Sequence, residues 1–146
     1  MSGAFEIAAV ADDAGILACH PVMAQLRPQH DDPRQFLARV REQQGEGYEL
    51  AALTVDGEVA AVAGYRLGTN LAWGRYLYVD DLVTDGARRS RGHGKALLDW
   101  LAARARERGC DELHLDSGVQ RFSAHRFYLR DGGMDISSHH FVRRLD

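Results

Sequence analysis

The segment Arg89-Ser90-Arg91-Gly92-His93-Gly94-Lys95 constrains this chain most. It stands between an apolar, strand-like stretch, Tyr76 to Val83, and an amphipathic helix, Ala96 to Arg108. Two glycines one residue apart, flanked by Arg and Lys, thus sit where a strand hands over to a helix. The first turn of a helix has unpaired backbone N–H groups and the positive end of the dipole. Glycine lets a ligand approach those groups closely, so the pattern suits an anionic phosphate.

The flanking segments read as an alternation of strands and helices. Phe5 to Val10 is short and apolar, a first strand. Asp12 or Asp13 caps a helix through Ile16 and Leu17 towards His20. Pro21 and Pro28 bracket Val22 to Leu26, a helix turn or a loop. Pro33 suits the first turn of a helix from Arg34 to Gln44, with Phe36, Leu37 and Val40 on one face. Gly45 and Gly47 end it. Tyr48 to Val55 and Val59 to Leu67 flank Asp56-Gly57, a type I′ hairpin signal. Arg75 to Thr84 is the next strand. The helix after the glycine loop carries Leu97, Leu98, Leu101 and Ala105 at helical spacing and stops at Gly109. Leu113 to Asp116 is a short strand, Ser123 to Leu129 a short helix, and Phe141 to Leu145 a closing strand. This order predicts a mixed α/β sheet with helices on its faces.

A chain of 146 residues fits a single domain spanning 1–146. Its 45% hydrophobic content suffices for a packed core. The formal net charge of -3 argues against nucleic acid as a partner. Positive charge is concentrated in Arg88, Arg89, Arg91 and Lys95, which points to a small-anion site. Cys19 and Cys110 lie far apart and predict neither a disulfide framework nor a metal site. The His residues show no metal-ligand spacing. No basic leader and no membrane-length apolar run is present, so a cytoplasmic protein with no membrane partner is expected.

Two phosphate-binding signatures fail. A Walker A loop requires Gly, four residues, then Gly-Lys-Ser/Thr, but Ala96 follows Lys95 and Arg89 holds the first glycine position. A dinucleotide fingerprint requires a third glycine at the position of Leu97. Arg89, Gly92 and Gly94 instead match Arg/Gln-x-x-Gly-x-Gly/Ala, the acyl-CoA pyrophosphate loop. The strand Tyr78-Val79-Asp80-Asp81-Leu82-Val83 precedes it. Ala124 to Gly133 is similar to an Ala-x-x-Phe-Tyr-x-x-x-Gly-Phe box, with Phe127 and Tyr128 in register and Gly133 in place of the final Phe. On these residues the chain resembles the GNAT superfamily of N-acetyltransferases.

That resemblance implies a central, mostly antiparallel sheet split near its fourth strand, with helices on both faces. It implies acetyl-CoA as co-substrate, no metal, and direct transfer of the acetyl group to a primary amine of a small molecule or protein. Backbone groups of Leu82 and Val83 would pair with the pantetheine arm. Arg89, Arg91, Gly92, His93, Gly94 and Lys95 would hold the phosphates, His93 through its backbone N–H. Tyr128 would be the general acid for the leaving thiolate. Asp81 would take the amine proton, hold a cationic substrate, or serve only as a solvated or paired strand-end carboxylate. Asp80 and Asp81 are adjacent in a strand, so only one is expected to face the acceptor cleft. Ser117 would bond the pantetheine or a water, or simply form a turn. His140 would line the acceptor site or lie on the surface. The region His20 to Gln44, with His30, Asp31, Asp32 and Arg34, would shape the acceptor pocket without choosing the acceptor. The alternatives are a non-catalytic acyl-CoA-binding sensor and a transferase for another acyl-CoA. Homodimerisation is a further implication of the family likeness.

Overall fold

A computed structural model describes residues 4–145. Two compact units result, one up to Leu115 and one from Asp116 onward.

The first unit is built on a sheet of five strands in the order β1-β2-β3-β4-β5. These are β1 (Glu6–Val10), β2 (Tyr48–Val55), β3 (Glu58–Asn70), β4 (Gly74–Thr84) and β5 (Glu112–Leu115). The first four pair antiparallel, and β5 joins β4 in parallel. Asp56 and Gly57 both take positive φ, 52° and 81°, which is the type I′ turn that the Asp-Gly pair predicts.

Helices α1 (Asp13–Leu26) and α2 (Pro33–Gln44) cover one face, and α3 (His93–Glu107) covers the other. Strand alternation divides the core between them. Ala51, Leu53, Ala63 and Tyr65 pack with Leu97 and Leu101 of α3. Leu50, Ala52 and Val62 pack with Ile16, Met23, Phe36 and Val40 of α1 and α2. Asp12 caps α1 by accepting from Gly15 N at 2.8 Å, and Asp32 caps α2 by accepting from Arg34 N at 3.0 Å. Each cap stabilises its helix by about 1 kcal/mol.

Helix α1 continues through Pro21, where the sequence leaves Val22 to Leu26 as a helix turn or a loop. An internal proline costs about 3 kcal/mol. Ile16, Cys19, Val22 and Met23 are all buried on the sheet side, and each large apolar side chain contributes roughly 1.5–3 kcal/mol. Burial on both sides of Pro21 outweighs its cost.

The second unit contains α4 (Phe122–Arg130) and an irregular tail. The closing strand expected at Phe141 to Leu145 does not form. Strand propensity is realised only where a partner supplies a ladder, and Phe141 and Leu145 stay about nine-tenths exposed. Among the described residues no helix is long and apolar enough to cross a membrane.

Candidate active site

The centre of the site is an irregularity in β4. Gly64 faces Asp81 across the β3–β4 ladder, but the next β3 residue, Tyr65, faces Val79. Asp80 is therefore an extra residue, a bulge that shifts the alternation by one. The packing records the shift. Before the bulge Leu77 and Val79 point to the α3 face, whereas after it Leu82 does. Val83 points to the face of α1 and α2. Asp80 and Asp81 thus share that face, and both line one cavity of about 370 Å³. This corrects the expectation that only one of the two carboxylates faces the cleft: strict alternation holds in a regular strand and fails at a bulge.

Neither carboxylate is bare. Asp81 accepts from Arg27 Nε at 2.8 Å and from the Tyr48 hydroxyl at 2.8 Å. Arg27 Nη2 also donates to the Asp80 carbonyl at 3.0 Å. Asp80 Oδ2 accepts from Arg66 Nε at 2.8 Å, and its Oδ1 is buried without a partner. Burial raises the Asp80 pKa above the usual carboxylate value, against the opposing effect of Arg66. Burial, and then the charge of Asp81, raise the Tyr48 phenol well above its ordinary value. Tyr48 is therefore a neutral donor that fixes one oxygen of Asp81.

Gly64 makes room for that donor. A Cβ at Gly64 would lie 1.7 Å from the Tyr48 hydroxyl oxygen. A glycine inside a strand marks a bulge or a close approach, and here it marks both. Tyr48, Arg27 and Arg66 escape sequence reasoning; Gly64 was the one signal that could have pointed to Tyr48. Of the charged residues the sequence singles out between His20 and Gln44, His30 lines the cavity and Asp32 caps α2. His20 Nε2 pairs with the His30 carbonyl at 2.8 Å.

On its other edge β4 pairs with β5 only from Tyr76 to Val79, where the ladder ends at Leu115. Leu82 and Val83 keep their β3 partners, Ala63 and Val62. The β5-side edge of β4 is thus unpaired beyond Val79, where the family likeness implies a split, while β5 itself is paired along its whole length.

The glycine loop lies between β4 and α3. Asp85 starts a 3-10 turn, Gly86–Arg88, by accepting from Ala87 N at 3.2 Å. Arg88 pairs with Glu58 and, at 3.6 Å, with Asp85, which pins the turn. Arg89 and Arg91 remain exposed. Gly92 is the N-cap of α3 at φ 79°, with open space where a side chain would stand. The first helical bond runs from Ala96 N to the Gly92 carbonyl at 3.0 Å. The N–H groups of His93, Gly94 and Lys95 lie in the first turn of α3, ahead of that bond. The His93 ring is buried edge-on to Phe5, and burial, aided by Arg91 and Arg88, lowers its pKa. Its side chain is thus turned inward. Lys95 Nζ reaches Asp99 at 2.8 Å.

In the second unit Tyr128 stands on α4 beside Phe127, ring centroids 5.2 Å apart. Burial raises the Tyr128 pKa, with Arg121 opposing. Ser117 Oγ is buried with no partner. His140 Nδ1 lies 3.8 Å from Asp116, both largely exposed. Cys19 is buried, and that burial pushes its thiol up to about 12, so it is not a nucleophile.

Comparison with known proteins says which class of enzyme this scaffold belongs to. Residues 17–134 match the model of the acetyltransferase (GNAT) family, and the chain belongs to that family. It is 37% identical over 123 residues to the uncharacterized N-acetyltransferase YhdJ of Bacillus subtilis (strain 168), covering 84% of this chain and 86% of that one. Two solved structures share the fold. A ribosomal-protein-alanine N-acetyltransferase from Brucella melitensis biovar Abortus 2308 superposes with a TM-score of 0.80 at 21% identity, over 97% of this chain and 99% of that one. The aminoglycoside N-acetyltransferase AAC(6')-Iy, solved in complex with CoA, gives 0.81 at 17% identity, over 97% and 95%.

Proposed function

We propose that this acyltransferase uses acetyl-CoA and moves the acetyl group directly onto a primary amine, with no acyl-enzyme. The observation that carries the reading is the unpaired edge of β4 beyond Val79, followed in the chain by a helix start capped by an open, left-handed glycine. A CoA ester is a long molecule with an amide-bearing arm and a pyrophosphate, and these two features suit its two ends. Backbone groups of Leu82 and Val83 would take the arm as an added strand. The N–H groups of His93, Gly94 and Lys95 would take the pyrophosphate, with Arg89 and Arg91 for the remaining phosphate charge. Acetyl-CoA supplies the acetyl group as a thioester.

The acceptor cavity on the bulge side supplies the base. A neutral amine forms the new C–N bond as the C–S bond breaks. Asp81 takes the amine proton, directly or through a water. Tyr128 gives its proton to the leaving thiolate; a phenol kept neutral by burial suits that task. Ser117, a buried hydroxyl without a partner, would bond the arm or a water.

Thiol release in the presence of amines tests the reading. Tyr128→Phe should lower kcat by about 100-fold with little change in KM, the usual scale for a general acid. Equal kcat in the two proteins would remove Tyr128 from the chemistry. Absence of acetyl-CoA turnover with every amine would remove the reading itself.

A further inference from the structure

We infer that the acceptor is a small zwitterion, a primary amine that also carries a carboxylate or phosphonate-type anion; this rests on the transferase reading above. A volume of about 370 Å³ suits a metabolite-sized molecule. The charges around it decide which kind.

The β4 wall holds Asp80 and Asp81, each already matched by its own guanidinium: Arg66 on Asp80 and Arg27 on Asp81. Both oxygens of Asp81 and one of Asp80 are engaged, which leaves one carboxylate oxygen on this wall for an amine, against the two points a polyamine needs. The α2 wall is different. Phe36, Arg39, Val40 and Gln43 line the cavity at helical spacing, so one face of α2 is turned to it. Arg39 is the charged member of that face. It pairs with Glu42 at 3.3 Å, both side chains about three-fifths exposed. Such surface pairs are weak and yield readily to a better-placed anion. Arg27 also lines the cavity, and its Nη1 is used in neither of its bonds to β4. The amine therefore meets carboxylate on β4, while guanidinium on α2 meets an anion at the other end of the same molecule. Guanidinium forks recognise carboxylate and phosphonate oxygens alike. An uncharged amine would leave the Arg39 side of the cavity unused.

Thiol-release kinetics with the full chain and acetyl-CoA test this. The panel is α- and ω-amino carboxylates and aminoalkylphosphonates, each beside its amide or alcohol counterpart and a diamine of the same length. At least one zwitterion should exceed both counterparts in kcat/KM by about tenfold, the scale of one charge-assisted hydrogen bond. The carboxylate and phosphonate arms then tell which anion is read. Arg39→Gln should raise KM for that zwitterion by about tenfold and shrink its advantage over the uncharged counterpart, with partial recovery in Arg39→Lys. A diamine or uncharged amine that equals the zwitterion would overturn the inference, as would equal losses on all three in Arg39→Gln. Turnover of no zwitterion by a protein that binds acetyl-CoA in calorimetry would also overturn it while leaving the transferase reading standing. Failure to bind acetyl-CoA would overturn both.

Discussion

The loop ahead of α3 and the cavity at the β4 bulge are built from different materials. The loop is built from backbone: Gly92 in a left-handed conformation, the N–H groups of the first helical turn, and the His93 ring turned inward. The cavity works through side chains in a tied network: Arg27 and Tyr48 on Asp81, Arg66 on Asp80, and Gly64 yielding space to Tyr48. Backbone N–H groups recognise any phosphate placed before them, so that region suits a co-substrate common to many enzymes. Interlocked charges admit few partners, so under the proposed function selectivity for the acceptor would lie in the cavity.

Gly64→Ala strikes the cavity while leaving every charged group in place, and it should have the larger effect. The new methyl group overlaps the buried Tyr48 ring, which must move and release Asp81. Overpacking of this kind costs about 1–3 kcal/mol, readable as a lower urea midpoint. Acceptor kcat/KM should fall while acetyl-CoA affinity, by titration, stays put. A parallel fall in both would mean that the two regions are one coupled unit.

His93 tests the loop and gives the smaller effect. Its folded pKa is depressed by burial, so the unfolded chain binds the proton more readily than the native one. The stability it contributes is full above the unfolded value, about 6.5, and is lost as pH falls from there through the lower folded value. Thermal melts between about pH 8 and pH 5.5 should show a decline that is shallower in His93→Phe. An identical decline in the two proteins would show that this ring does not titrate with folding.

Most of the loop was legible in the sequence because its parts are local. A Gly-x-Gly run flanked by cations between strand and helix states its own geometry, and Asp56-Gly57 does the same for the hairpin. The helix face of Phe36 and Val40 was legible for the same reason. The cavity was not. A bulge is a mismatch between two strands distant in sequence, and no periodicity in Tyr78 to Val83 announces it; only Gly64 hints at it. Arg27 and Tyr48 reach Asp81 across 54 and 33 positions. Helix α1 crosses Pro21 because burial on the sheet side outweighs one lost bond. Phe141 to Leu145 has strand-like residues and no partner strand.

The central claim is that the Gly92 loop holds the pyrophosphate of acetyl-CoA, and calorimetric titration of acetyl-CoA into wild type and Gly92→Glu tests it most directly. A carboxylate at the N-cap of α3 would sit where that anion belongs. Far-UV spectra taken alongside establish that both proteins are folded. The account predicts micromolar-range binding in wild type and a loss of about 100-fold or more in the variant, the scale of an opposed charge at a desolvated anion site. Equal affinity in two folded proteins would contradict it.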